Sequence, residues 1–156
     1  MLRITEALSL KPSDLDLAQQ TVRIRHGKGN KARTVGIPGS VCDALSRWME
    51  KRSSLGINGG SPLFCGIEHG PTRSNLGQPL DSSYVRHLLP RLAAKAGIEK
   101  RVHAHGFRHS GAVRMIRAGH DVGIISRALG HSSIATTHRY LNHLNPQTVI
   151  EAMREE

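Results

Sequence analysis

The chain is poor in aromatic side chains: one Trp, two Tyr and two Phe in 156 residues. Any core must therefore be built mainly from aliphatic groups, and each tyrosine can be weighed individually. Cysteine is just as scarce. Cys42 and Cys65 are too few and too far apart for a disulfide framework or a zinc knuckle. Both read as small, buried or half-buried thiols in a reducing compartment. No apolar run is long enough to span a bilayer and no signal-peptide pattern is present, which points to a soluble, cytoplasmic protein. Acidic residues are outnumbered, 12 against 22 lysines and arginines, for a formal net charge of +10. That excess suits a polyanionic partner such as nucleic acid, although a merely basic or ribosomal-type surface has the same composition. Internal repeats and low-complexity segments are lacking too, and the length suits one domain with a real core.

What is present is hydrophobic periodicity, mostly helical. Leu2, Ile4, Ala7, Leu8 and Leu10 form an amphipathic pattern that already includes Arg3 and stops at Lys11-Pro12-Ser13-Asp14. From Thr21 the period becomes two, with Val22 and Ile24 on one face and Thr21, Arg23 and Arg25 on the other. Gly27-Lys28-Gly29-Asn30 reads as a turn and residues 32–37 as a returning strand. The hairpin so formed has a strongly basic tip: Arg23, Arg25, Lys28, Lys31 and Arg33. Charge at a sheet edge guards against unwanted pairing. A basic finger laid against DNA fits the composition better.

Pro38-Gly39-Ser40 starts a helix over 41–52, with Val41, Leu45, Trp48 and Met49 turned inward. Residues 55–78 read as loop with a short strand near Leu63-Phe64. Another helix runs from Pro79 to about Ala96, with Tyr84, Leu88, Leu89, Leu92 and Ala93 at inward spacing. Pro90 should kink or break it, and Gly97 closes it. Three more helices are expected over 103–118, 122–129 and 134–141, followed by a short tail from Pro146. In that tail Asn145 can cap a helix whose apolar face is Val149, Ile150 and Met153.

The chemistry is concentrated in the C-terminal third, in His103-Ala-His105-Gly-Phe-Arg108-His109, Leu129-Gly130-His131 and Thr136-Thr-His-Arg-Tyr140. On a helix His105 and Arg108 share a face. Gly130 suits the left-handed turn that ends a helix. A guanidinium grips phosphate through parallel hydrogen bonds, an imidazole moves protons near neutrality, and a phenol can be a nucleophile. Together these groups read as phosphoryl transfer through a tyrosine.

His105-x-x-Arg108, Leu129-Gly-His131 and Tyr140 nine residues later resemble the C-terminal signature of the tyrosine recombinases, the phage integrase family. Leu2-Arg3-Ile-Thr-Glu6 resembles that family's first-arginine motif, and Gly27-Lys28-Gly-Asn-Lys31-Ala-Arg33 its β-hairpin lysine motif. The four blocks stand in the family's order over nearly the whole chain. The resemblance implies an α+β fold: a mainly helical catalytic domain over 1–144 with a small antiparallel β-sheet near the N-terminus, and a tail helix over 145–156. The family's helices that precede the first arginine, and its separate DNA-binding domain, have no counterpart, so Met1 reads as an internal start or the start of a shortened gene.

The resemblance also assigns roles. Tyr140 is the nucleophile on a DNA phosphate, and Arg3 and Arg108 clamp the non-bridging oxygens, with His131 as a further donor. His105 assists the phenol's deprotonation. Lys28 is the general acid; Lys31 competes for this role, but the Gly-Lys-Gly setting matches the motif better. In the family His109 supports structure. From their own chemistry, the basic residues Arg23, Arg25, Lys31 and Arg33 read as DNA-binding, Glu6, one turn on from Arg3, as a structural partner within its helix, and Tyr84, on an apolar helical face, as core. Double-stranded DNA is the partner, with self-association through the tail.

No cofactor is expected. His103-x-His105 and His138 with His143 are the conceivable metal ligands, yet two-metal phosphodiesterases use carboxylates, and Asp121 is the only acidic residue between His103 and Tyr140. A set of cations suits metal-free stabilisation of a pentacovalent phosphate. Two other readings compete. Residues 122–141 can pass for a helix-turn-helix in a non-catalytic DNA-binding module, and a type IB topoisomerase-like enzyme would share the chemistry.

Overall fold

The first helix is shorter than its apolar pattern. In the computed structural model, which describes residues 1–27, 31–70 and 74–130, α1 covers only Ile4–Leu8, with Arg3 as its N-cap in extended geometry. Leu10 lies beyond the helix and is nonetheless buried at 4% exposure. Pro12 then opens a 3₁₀ turn, Pro12–Asp14. The turn delivers a two-residue strand that the sequence pattern did not suggest: β1, Leu15–Asp16, pairs antiparallel with β2, Thr21–Ile24. A strand of two residues has no periodicity to read.

The expected hairpin is present. β2 pairs antiparallel with β3, Arg33–Gly36, with Val22 opposite Val35 and Ile24 opposite Arg33. Val22 and Ile24 are buried while Arg23 and Arg25 face out, as a period of two requires. The tip at 28–30, which includes Lys28, lies outside the described residues. The sheet is therefore three-stranded, in the order β1-β2-β3.

α2 runs over Gly39–Ser54, a little longer than the pattern predicts, and packs Leu45, Trp48 and Met49 onto the sheet's inner face. Val41 was expected inside but is 40% exposed; the inward position one step on is taken by Cys42. Leu10, Val22, Leu45 and Leu63 form the buried centre of this cluster. In the loop after α2, no strand forms at Leu63-Phe64. Leu63 is instead fully buried, its N–H donates to Leu10 O at 2.6 Å, and isolated bridges pair Cys65 with Pro79 and Gly66 with Leu76.

This loop is organised by a buried arginine on the same helical face as Leu45, Trp48 and Met49. Arg52, in the last turn of α2, is 1% exposed. Its guanidinium donates to the carbonyls of Pro62 (2.7 Å), Leu63 (3.1 Å) and Asn58 (3.1 Å), and to Cys65 Sγ at 3.0 Å. Trp48 Nε1 donates to Leu63 O as well. The guanidinium gives an irregular segment the hydrogen bonds that its backbone cannot find in a ladder.

α3, Ser82–Lys95, begins at Asp81, whose carboxylate accepts from Ser83 N. It continues through Pro90 as one helix rather than breaking, since proline removes a single backbone bond here and both Pro90 and Arg86, four residues earlier, are exposed to water. Only Ala93 of its expected inward face is buried. Tyr84 and Leu92 are 47% and 50% exposed, so the assignment of Tyr84 to the core does not hold. Two helices follow among the described residues: α4, Ala104–Arg117, and α5, Val122–Leu129. The expected helix over 134–141 and the tail lie outside the described residues.

The chain divides into two compact units, Leu2–Ala104 and Met1 with the residues from His105 onward. The second has its own small core: Ala112, Ile125 and Leu129, flanked by Met1, Met115 and Ile116. Among the described residues, no helix is long and apolar enough to cross a membrane.

Arg52→Met keeps most of the volume and removes all the guanidinium donors to the loop carbonyls. Hydrogen bonds from a charged group are worth about 1.5–3 kcal/mol, so the variant should lose roughly 3 kcal/mol in urea denaturation. A loss within about 0.5 kcal/mol, the usual range for surface substitutions, would show that Arg52 does not hold the loop.

Candidate functional site

Among the described residues, the sequence-predicted site residues fall into two groups, one in each unit. In the first, Arg3 caps α1 and Glu6 stands at its third position. The Glu6 carboxylate reaches back to accept Arg3 N–H at 2.8 Å, which is one half of a capping box. Its other oxygen takes Arg3 Nη1, also at 2.8 Å. A helix N-terminus favours this negative charge. The sequence reading made Glu6 a local partner of its helix, and so it is.

Glu6 has a second partner that the reading did not provide. Arg33, from β3, forks onto the same carboxylate, with Nη1 to Oε1 at 3.0 Å and Nη2 to Oε2 at 2.8 Å. The Glu6 side chain is 3% exposed and the Arg33 side chain 13%. Four N–H groups thus converge on one buried carboxylate. Burial by itself would raise the Glu6 pKa. The hydrogen bonds from Arg33, then those from the Arg3 backbone and side chain, override it and hold the carboxyl at about 2, against an ordinary 4.5.

The other basic residues of the hairpin are placed differently. Arg23 and Lys31 are exposed. Arg25 is half-exposed, at 49%, and its Nε donates to Asp14, a buried carboxylate at 2% side-chain exposure that also accepts Lys11 N–H at 2.9 Å. Among the described basic residues of this hairpin, Arg33 is the one turned inward with both terminal nitrogens on a carboxylate. The signal for it lay in the strand's period: Arg33 alternates in step with Val35, which packs on the core. A charge on an inward position requires a partner.

In the second unit, His105 and Arg108 sit three residues apart in the first half of α4. His105 is exposed, whereas Arg108 is 4% exposed. The Arg108 guanidinium donates to Met1 O at 2.7 Å and to Leu129 O. Leu129 is the last residue of α5, where carbonyls lack helical partners and the dipole favours a cation. The next residue, Gly130, adopts φ 64°, the left-handed conformation expected of this glycine. α5 is fixed at its other end by Asp121, whose carboxylate accepts from Gly123 N and Ile124 N. Arg108 is therefore both a candidate phosphate ligand and a cap on the helix that leads to His131. His131 and Tyr140, like Lys28, lie outside the described residues.

The Glu6 cluster sets a pH dependence. Its folded-state pKa is depressed, so its contribution to stability is complete above the unfolded value and is lost as pH falls through the folded one. From a shift of 4.5 to about 2, wild type should lose up to about 3 kcal/mol more than Glu6→Gln between roughly pH 5 and pH 2. Urea midpoints measured across that window check this. Parallel profiles for the two proteins would show that no charged Glu6 is held in the fold.

Comparison with known proteins identifies the family. The phage integrase family pattern matches residues 1–147. The chain is 32% identical over 156 residues to tyrosine recombinase XerD of Bifidobacterium longum (strain NCC 2705), covering 96% of this chain and 47% of that protein. It is 34% identical over 139 residues to tyrosine recombinase XerA of Thermococcus kodakarensis, covering 89% and 45% respectively. A crystal structure of XerA recombinase superposes with a TM-score of 0.80 at 34% identity, over 98% of this chain and 52% of that one. The XerH site-specific recombinase, solved as a post-cleavage complex bound to palindromic difH substrate, gives 0.77 at 30% identity, over 99% and 42%. The chain spans about half the length of the relatives it matches. With helices and a small antiparallel sheet, and with the first-arginine, hairpin and His105-x-x-Arg108 blocks in family order, the chain belongs to the phage integrase family and has the fold of its tyrosine recombinase catalytic domain.

Proposed function

We propose that this chain is the catalytic part of a site-specific DNA recombinase that cuts and rejoins strands through a 3′-phosphotyrosine, acting on double-stranded DNA in the cytoplasm without metal or ATP. The observation that carries the reading is the complete set Arg3, Lys28, His105, Arg108, His131 and Tyr140, all within the stretch that matches the family. A pure DNA-binding module would have no use for that set.

The chemistry follows from the groups. The Tyr140 oxygen attacks the scissile phosphorus in line, and His105 accepts the phenol's proton. The bond from phosphorus to the 5′-oxygen breaks, and Lys28 protonates the departing oxygen to a 5′-hydroxyl. Arg3 and Arg108 balance the charge on the non-bridging oxygens, and His131 adds a donor. The tyrosyl phosphodiester replaces the DNA phosphodiester, so no energy has to be supplied from outside. A 5′-hydroxyl from the partner strand reverses the step. Arg23, Arg25 and Lys31 supply phosphate contacts along the duplex, each adding about −0.9 to the salt slope of binding. What supports a clamp role for the two arginines is that both are held by protein groups, Arg3 by Glu6 and Arg108 by Leu129 O, because a guanidinium already oriented loses less freedom on meeting phosphate.

Two variants test the chemistry on a suicide duplex. Tyr140→Phe removes only the hydroxyl, and DNA binding should survive while covalent adduct disappears; adduct that persists or maps to Tyr84 overturns the assignment. Lys28→Ala should be slow on ordinary DNA but restored on a substrate whose bridging 5′-oxygen is sulfur, since a thiolate leaves without a proton. Arg108→Ala should stay impaired on both.

The tail over 145–156 is read as a helix that docks on a neighbouring subunit in the DNA complex, because a helix this short needs a groove to be ordered. Deleting the residues after Leu144 should reduce cooperative assembly on paired sites far more than single-site binding. Equal loss of both, with a lower melting temperature, would assign the tail to its own core.

A further inference from the structure

Arg33 is the cation of the basic hairpin for which binding DNA does not account. Both its terminal nitrogens are on Glu6, and its side chain is 13% exposed. Its neighbours on the hairpin, Arg23 and Lys31, are exposed, as contacts to a phosphate backbone require. Arg33 points the other way, in step with Val35 and the core.

Its surroundings are built around it. Gly27 closes the neck of the hairpin by donating its N–H to Lys31 O at 3.1 Å. A Cβ at position 27 would stand 2.6 Å from that carbonyl oxygen and 3.0 Å from Arg33 Nη1. The glycine is thus what lets the guanidinium lie under the neck. On its other side the guanidinium holds Glu6, and Glu6 holds both the backbone and the side chain of Arg3. An ion pair between residues three apart on a five-residue helix is weak by itself. Arg33 adds an anchor to the Glu6 carboxylate from a strand locked into a ladder with β2.

We infer that Arg33 is a positioning residue for Arg3: its guanidinium fixes the Glu6 carboxylate, and the fixed carboxylate sets the direction in which Arg3 meets a DNA phosphate. The inference rests on the DNA-cleavage reading above. It gives Arg33 a role that acts through two other residues and requires no contact with substrate. A bidentate fork is needed for this, so lysine is not an equivalent.

The test is a double-mutant cycle under single-turnover conditions, with protein in excess so that slow rates can be followed over hours. Arg33→Gln should slow adduct formation by about 10- to 100-fold, the scale of a misplaced catalytic group. Combined with Arg3→Ala it should add no further loss, since Arg3 is the group through which Arg33 acts. The salt slope of DNA binding should not change. Losses that multiply, or a slope reduced by about 0.9, would make Arg33 a phosphate contact in its own right and overturn the inference. Rescue of Arg33→Gln by the 5′-bridging sulfur substrate would overturn it too, by showing that Arg33 acts on the lysine side of the reaction.

If Arg33→Gln does not fold, Arg33→Lys, which keeps the charge and loses the fork, carries the same cycle with a smaller first loss. A measurement without DNA separates this inference from the functional reading. Rotation of the Arg3 guanidinium, followed by NMR, should be slowed in wild type and released in the Arg33 variant; unchanged rotation overturns the inference whatever the protein does to DNA. If wild type forms no adduct, the functional reading fails and this measurement alone decides.

Discussion

A carboxylate taken out of water has to be met by charge and by hydrogen bonds, or it takes up a proton instead. Glu6 is met by four N–H groups, two from Arg3 and two from Arg33. Much of the first unit depends on this. α1 is only five residues long and could not hold itself together by propensity; the carboxylate ties its N-terminus to the sheet. The same contact ties the neck of the hairpin to the segment that carries the first arginine. Replacing Glu6 would leave Arg33 as a buried cation with no counter-charge, which costs more than the pair itself contributes.

The pattern recurs in a chain with few aromatic side chains. Where bulky rings would fill space and fix loops, this protein uses buried guanidiniums. Arg52 holds the irregular segment after α2 by five acceptors, none of them a carboxylate. Arg108 takes the open carbonyl at the end of α5. In both cases a charge is accepted in the interior because it saturates backbone oxygens that have no ladder to join. Each guanidinium can serve several carbonyls at once through its planar array of donors, which a lysine cannot do.

The legibility of these features in the sequence follows the reach of periodicity. The hairpin was visible because Val22 and Ile24 alternate with Arg23 and Arg25, and α5 because a glycine stop follows its helical pattern. The order of the family's motifs was visible because it is a matter of spacing alone. What was not visible depends on contacts remote in sequence. β1 is too short to have a pattern, and of the inward stripe of α3 only Ala93 is buried. Arg52 shares the inward face of Leu45, Trp48 and Met49, but its acceptors lie in an irregular loop that has no pattern to read. Arg33 was half visible. Its place in the strand predicts an inward side chain, but its partner is 27 residues away on α1, and a count of basic residues at the hairpin tip groups it with Arg23 and Lys31.

The stoichiometry of the Glu6 cluster bears on what Arg3 can do. One guanidinium on one carboxylate would form a neutral pair, and a phosphate approaching Arg3 would meet a carboxylate that repels it. At about 4 Å and an effective dielectric constant of 20, such a repulsion is about 4 kcal/mol, comparable to the attraction it opposes. With Arg33 on the same carboxylate, two positive charges face one negative, and the cluster keeps a net charge of +1. Glu6 can then fix the direction of Arg3 while the cluster as a whole still attracts an anion. The arrangement resolves a conflict inherent in using a carboxylate to aim a cation at a phosphate, and it does so by drawing one arginine of the basic hairpin inward and leaving its neighbours exposed.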